Sequence, residues 1–293
     1  VATTSVNNGL LYIYNGGTLT QTAGNFTNSN DLQIKKGGIM VFSDAGTTLT
    51  NTGNLQILSS NSLFGSLLLS GTYSESGSGT IFYRRYVAGT DYWDLIGTPL
   101  SSNTIFDFIE DNEDIATNGS SPTVYALGIY NNTSESAGNG NGGWTNYTSS
   151  NIVSSGNLIS GRGYQMATSG TSTGSEITFN GTLLTSSVAR TLTTNEEGSS
   201  SPSDGTKFEL IANPYASYVS VTSFVNAHKN TQMHASHAAV YGWDGVQYDT
   251  YNLAAPGNNI APGQGFMVGV RGSDADTQTY TFTTAMQTAT GTG

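Results

Sequence analysis

One series of short segments occurs twice in this chain, in the same order, and any fold has to place both copies. Tyr92-Trp93-Asp94-Leu95-Ile96-Gly97-Thr98-Pro99-Leu100 matches Lys207-Phe208-Glu209-Leu210-Ile211-Ala212-Asn213-Pro214-Tyr215, with the prolines 115 residues apart. Ile105-Phe106-Asp107-Phe108-Ile109 then matches Val221-Thr222-Ser223-Phe224-Val225, each reading as a short helix or turn. Val124-Tyr125-Ala126-Leu127-Gly128-Ile129-Tyr130 corresponds to Ala239-Val240-Tyr241-Gly242-Trp243, and Gly143-Trp144-Thr145-Asn146-Tyr147 more loosely to Gly245-Val246-Gln247-Tyr248. Asn157–Met166 matches Asn259–Met267, and Glu176-Ile177-Thr178-Phe179 matches Thr279-Tyr280-Thr281-Phe282. Alternating apolar and polar residues, cut by Gly, Asn and Pro, mark the segments as strands. The repeat predicts two homologous, β-sandwich-like modules, 87–195 and 203–293, or two halves of one larger sandwich or barrel. The link Asn195–Gly205 is flexible by composition.

A second repetition precedes the first. Leu10-Leu11-Tyr12-Ile13 returns as Asp31-Leu32-Gln33-Ile34 and as Asn54-Leu55-Gln56-Ile57, at steps of 21 and 23 residues. Gly16-Gly17 and Gly37-Gly38 follow the first two copies at one offset. Such a step, with several short strands in each, predicts a β-solenoid over 1–86. The rival is an antiparallel sandwich with accidental spacing. Asn and Gly at the corners are expected to supply positive φ. About three coils leave open ends, and something is expected to cover the first. The fold class is therefore all-β: a short N-terminal solenoid, then two modules.

Composition narrows the function. Charged residues are 10% of the chain, the net charge is −11, and Ser, Thr, Asn and Gly fill the difference. An average domain carries about a quarter charged residues. Nucleic acid and anionic membrane surfaces are disfavoured as partners. There is no cysteine, hence no disulfide or thiolate metal site. No apolar run reaches the roughly 18 residues of a membrane span, and polar strand-like sequence directly after Val1 is what a mature or trimmed chain is expected to show. The mix suits an extracellular β-fold.

The Trp93-Asp94-Leu95-Ile96-Gly97-Thr98-Pro99 strand, the Gly161-Arg162-Gly163-Tyr164 turn and the Ile211-Ala212-Asn213-Pro214-Tyr215 strand resemble segments of large secreted proteins of Bacteroidota. Those proteins are typically type IX secretion cargo and end in a separate sorting domain. The resemblance implies a secreted or surface-exposed protein and no particular reaction. No sorting domain follows the second module here, as cleavage, truncation or another export route would each explain.

Candidate chemistry is sparse. No Gly-x-Ser-x-Gly turn offers a nucleophile. His228, His234 and His237 share one stretch, and the last two stand at i, i+3 as a pair of metal ligands would. A loop of the second module explains them equally. Asp107, Glu110, Asp111, Glu113 and Asp114 form an oxygen-rich run that could hold Ca²⁺, without EF-hand spacing. Asp274-Ala275-Asp276 is a weaker case. Paired carboxylates could serve glycoside hydrolysis, but acids are scarce outside loops. Gly138–Gly143 lacks the Lys-Ser/Thr of a phosphate loop and reads as a hairpin loop. Asn-x-Ser/Thr triplets such as Asn25-Phe26-Thr27 are expected by chance in so Asn-rich a chain.

Aromatic residues give the binding candidates. Trp144 and Tyr147, with Trp243 and Tyr248 in the analogous region, could stack on sugar rings. Packing inside each module is the alternative, favoured for Trp93 and Trp243. The expected function is non-catalytic: a structural or adhesive surface protein that contacts itself or other surface proteins, as in a fibre or layer joined through β-edges. The alternative is a carbohydrate-binding accessory region of a larger secreted protein.

Overall fold

A computed structural model describes residues 4–101, 103–132, 143–194, 206–254, 256–273 and 276–291. The link Asn195–Gly205, most of the glycine-rich loop and Asp274-Ala275 lie outside the described residues.

The first part is a three-sided parallel β-solenoid. Its first rung is β1 (Ser5–Asn7), β2 (Leu10–Ile13) and β3 (Thr18–Gln21); its second is β4 (Asn25–Asn28), β5 (Asp31–Ile34) and β6 (Ile39–Phe42). The third is β7 (Thr48–Asn51), β8 (Asn54–Leu58) and β9 (Ser66–Leu69), and β10 (Thr72–Glu75) with β11 (Thr80–Val87) begins a fourth. The register follows the repeat: Ile13, Ile34, Ile57 and Tyr83 stack in one column, and Leu11, Leu32, Leu55 and Ile81 in the next. Alternate residues of every inner rung point into the core, as Leu32, Ile34, Met40 and Phe42 do with no exposed surface.

The corners correct one expectation. Positive φ belongs to glycines such as Gly16 (76°) and Gly37 (75°), and no described asparagine adopts it. The corner asparagines hydrogen-bond instead. Asn7 Nδ2 donates to Asn28 Oδ1 (2.8 Å), Asn28 Nδ2 to Asn51 Oδ1 (2.8 Å), and Asn51 Nδ2 to Thr80 O (2.9 Å). Asn28 and Asn51 are fully buried. An unpaired buried amide costs about 1–3 kcal/mol, so each rung demands an asparagine from the next.

The solenoid's far end is closed by the modules. The first contains β12 (Asp94–Ile96), α1 (Ile105–Glu110), β13 (Val124–Asn131), β14 (Gly143–Thr148), β15 (Tyr164–Met166) and β16 (Ser175–Asn180). β16 runs antiparallel beside β11 and so extends a solenoid sheet, giving the order β16-β11-β8-β5-β2. One apolar core consequently continues from Ile13 to Leu183. The second module follows as β17 (Val188–Thr193), β18 (Phe208–Ala212), β19 (Tyr218–Ser220), α2 (Val221–His228), β20 (Val240–Trp243), β21 (Tyr248–Tyr251), β22 (Asn259–Ile260), β23 (Gly265–Gly269), β24 (Thr277–Phe282) and β25 (Gln287–Thr288). It meets the solenoid too: Leu67 N–H donates to Ala216 O (2.8 Å), and Phe64 packs edge-on against Tyr218.

The modules share one plan. The sheet β12-β15-β13-β14 has its counterpart in β18-β23-β20-β21. Ile96 faces Tyr164 as Ile211 faces Phe266, and Leu127 faces Met166 as Val240 faces Val268. β11 closes on β16 as β17 closes on β24. Both helices start where the aligned apolar residues do, capped by Thr104 and Ser220. The recurrent polar residue before proline bonds its own turn: Leu100 N–H donates to the Thr98 hydroxyl and Tyr215 N–H to Asn213 Oδ1. Each module has a four-stranded sheet and a helix. Its closing pair is part of the five-stranded solenoid sheet in the first and a separate two-stranded ribbon in the second, which adds the three-stranded sheet β22-β19-β25. These pairings do not by themselves make either a sandwich.

Contact between the modules is reciprocal, as across a two-fold axis. Ile96 bridges to Gln264, while Ile211, its counterpart, bridges to Arg162, the counterpart of Gln264. Gly97 N–H donates to Gly263 O (2.9 Å) as Ala212 N–H does to Gly161 O (3.0 Å). The backbones meet closely: a Cβ on Gly97 would lie 2.2 Å from the Ala212 Cβ.

Candidate functional site

The module junction gathers aromatic residues. Tyr130 and Trp144 pair across β13 and β14, and Trp243 and Tyr248 pair at the equivalent place across β20 and β21. Their ring centroids are 5.1 and 5.0 Å apart. Tyr130 reaches over the sheet of the second module, where it is buried with Leu210 and Met267. Between the modules this leaves a groove of about 350 Å³ lined by Tyr130, Trp144, Phe208, Tyr241, Tyr248 and Met267. Trp144 and Tyr248 retain 38% and 43% of their surface exposed, so a ligand can reach both.

Of the four aromatic candidates, the structure brings Trp144 and Tyr248 into this groove. Trp243 does not line it but packs against Tyr248 with the ring planes at 60°, its Nε1–H donated to Tyr92 O (3.0 Å). Tyr147 is half-buried against the first core and does not line it. Tyr130, Phe208, Tyr241 and Met267 were missed by sequence reasoning. Only the pairing of Tyr130 with Trp243 in the repeat signalled any of them; the groove itself is made by module contact. Burial, then the nearby Tyr248 and Glu209, push the Tyr130 hydroxyl far above its ordinary range; burial raises Tyr241 and Tyr248 as well. These phenols stay neutral and can both donate and accept hydrogen bonds.

A polar cleft of about 300 Å³ adjoins the groove, with Tyr130 lining both. It holds Arg162, Arg190 and Glu209. Burial pushes the Glu209 carboxyl up to about 7, against the opposing pull of Arg162, Arg190 and the backbone N–H groups of Leu210 and Thr193.

The other candidates lie elsewhere. His228 is buried in the second core: Nδ1 lies 2.8 Å from Phe224 O, and Nε2 accepts Thr281 N–H (3.0 Å). That pattern fixes a neutral ring with Nδ1 protonated and both nitrogens engaged, and burial lowers its pKa. His234 and His237 have ring centroids 5.2 Å apart, and His237 packs on Phe208. Asp107, Glu110, Asp111, Glu113 and Asp114 are exposed on and after α1. Asp107 accepts from the Thr104 hydroxyl, and Asp111 from Asn180. Among the described residues no three His, Asp or Glu side chains gather as metal ligands would.

Compared with known protein families, curated proteins and solved structures, the chain matches none. No described helix is long and apolar enough to cross a membrane.

Proposed function

We propose that this is a non-catalytic, adhesive protein of the cell surface that binds glycans in the groove between its two modules. The observation that carries the reading is the pair Trp144 and Tyr248, one from each module, exposed at one groove. Sugar rings present flat C–H faces that stack on such aromatics, while neutral phenols such as those of Tyr241 and Tyr248 bond their hydroxyls. The solenoid acts as a stiff stalk behind the binding body. A low charge density, with Ser, Thr, Asn and Gly in place of charged residues, fits a turn-rich extracellular β-fold. The test is binding to a panel of oligosaccharides and insoluble polysaccharides. Retention that drops with Trp144→Ala but not with Tyr147→Ala supports the reading; no retention on any glycan overturns it.

Assembly into a fibre or layer is a second reading, and the first rung favours it. Leu11 and Leu19 end apolar columns half-exposed, and Val6, Leu10 and Tyr14 are 52%, 68% and 62% exposed around them. A rung from another copy would continue the parallel ladder. Electron microscopy over a concentration series should then show filaments or sheets, lost on Leu11→Lys. Uniform single particles at every concentration would contradict it.

A further inference from the structure

The duplication places two polar pockets at equivalent positions, and the difference between them points to a ligand. Arg190 on β17 faces Tyr280, and Arg85 on β11 faces Ile177, the residue aligned with Tyr280. Glu209 and Asp94 are aligned as well. Each module thus sets one arginine and one acid into a pocket, of about 300 Å³ around Arg190 and about 220 Å³ around Arg85. The other module closes each pocket with the end of a strand: Asn131 in the first case, its counterpart Asp244 in the second.

The shared frame carries opposite charge in its two copies. The Arg85 pocket holds one cation and two carboxylates, Asp94 and Asp244. Arg85 also donates to Pro262 O (2.9 Å), and its charge lies over the Phe64 ring. In the Arg190 pocket Asn131 replaces the second acid, and Arg162 adds a second cation, whereas its counterpart Gln264 is uncharged and lines a different cavity. Among the described residues neither guanidinium there donates to a protein acceptor, whereas Arg85 does; Arg190 Nε, like Arg85 Nε, is buried without a partner. Arg162 lies over the Tyr164 ring, 5.9 Å from its centroid. Two half-buried like charges held together without an acceptor are unfavourable until an anion joins them. One acid against two arginines leaves a balance for a monoanion, and the planar guanidinium suits a carboxylate.

We propose that Arg162 and Arg190 form an anion subsite of the aromatic groove that takes the carboxylate of an acidic sugar. Resting on the glycan reading above, this makes the ligand a uronate-containing saccharide: a ring against Trp144 and Tyr248, and a carboxylate past Tyr130 on the arginines.

Calorimetric titration of the whole chain with a galacturonate trimer, its methyl ester and a neutral glucose trimer tests this. The acidic trimer should bind at least tenfold more tightly than the other two, and less tightly as salt rises. Arg162→Gln, which installs the residue aligned with it in the second module, should erase that preference. Glu209→Gln should tighten the acidic trimer severalfold at pH 8, a gain that misfolding cannot produce. Equal binding of all three trimers overturns the anion subsite and leaves the groove standing. Acidic-trimer binding that survives Trp144→Ala and is lost with Arg162→Gln keeps the subsite and overturns the groove. No binding by any trimer overturns the uronate subsite, and no retention on any glycan of the wider panel overturns the groove as well.

Discussion

Set side by side, the two modules agree in strand order, register, helix capping and the turn before proline. They part where each faces the other. On its sheet the first module places Gly128 and Gln165, and the second places Tyr241 and Met267 at the same register positions. The first has Gln264 opposite Ile96; the second has Arg162 opposite Ile211. Residues that define the frame are kept in both copies, and residues that line the cavities diverge. A duplicated frame thus separates what the fold requires from what one copy adds: arginine and acid occur in both, whereas the second arginine and the aromatic lining occur once.

The largest effect is expected where the copies touch. Gly97→Val forces a side chain into Ala212 and should cost about 3 kcal/mol in urea unfolding, whereas Ala212→Gly at the reciprocal position should cost about 1 kcal/mol or less. Equal losses would break the reciprocal contact. Next comes the solenoid: Asn28→Ala removes the middle of the buried ladder and should cost about 2–3 kcal/mol by the same measurement. Trp144→Ala should weaken saccharide binding about tenfold, with thermal unfolding little changed, because the ring is partly exposed.

A pH comparison of the two acids is subtler. Burial raises Glu209 to about 7, opposed by Arg162 on its turn, Arg190 on β17 and the N–H groups of Leu210 and Thr193, with the Tyr130 phenol also facing it. An acid whose folded pKa is raised binds its proton better when folded. Its stabilising share is therefore full below the ordinary carboxylate range and is lost as pH rises through about 7. Stability should fall across that window, and Glu209→Gln should flatten the profile. Affinity for the galacturonate trimer should rise from pH 8 to pH 6 as Glu209 becomes neutral, and this slope too should vanish in Glu209→Gln. Asp94→Asn in the twin pocket should leave trimer binding unchanged. The smallest effect belongs to the surface pair Lys36–Glu176 between solenoid and first module: Lys36→Ala should cost about 0.5 kcal/mol or less.

Much of the frame was legible because periodic burial writes itself into sequence. The column Ile13, Ile34 and Ile57 and the aligned pair Tyr164 and Phe266 follow directly from repeat spacing. The asparagine ladder was visible as residues and misread as backbone geometry, since only stacking makes Asn28 and Asn51 each other's partners. Trp144 and Tyr248 could be named as aromatics near a loop. Their meeting across modules could not, nor could Arg162 joining Arg190, because both depend on a contact between copies that no local pattern encodes.

Indole N–H signals of the three tryptophans report on this junction without mutation. Trp144 lines the groove, Trp243 packs against Tyr248, and Trp93 packs against Ala116, Ala126 and Ala167. Titration with the galacturonate trimer should move the Trp144 signal most, Trp243 less and Trp93 not at all. A Trp93 shift as large as that of Trp144, or no shift at saturating ligand, would contradict a saccharide site built by the two modules together.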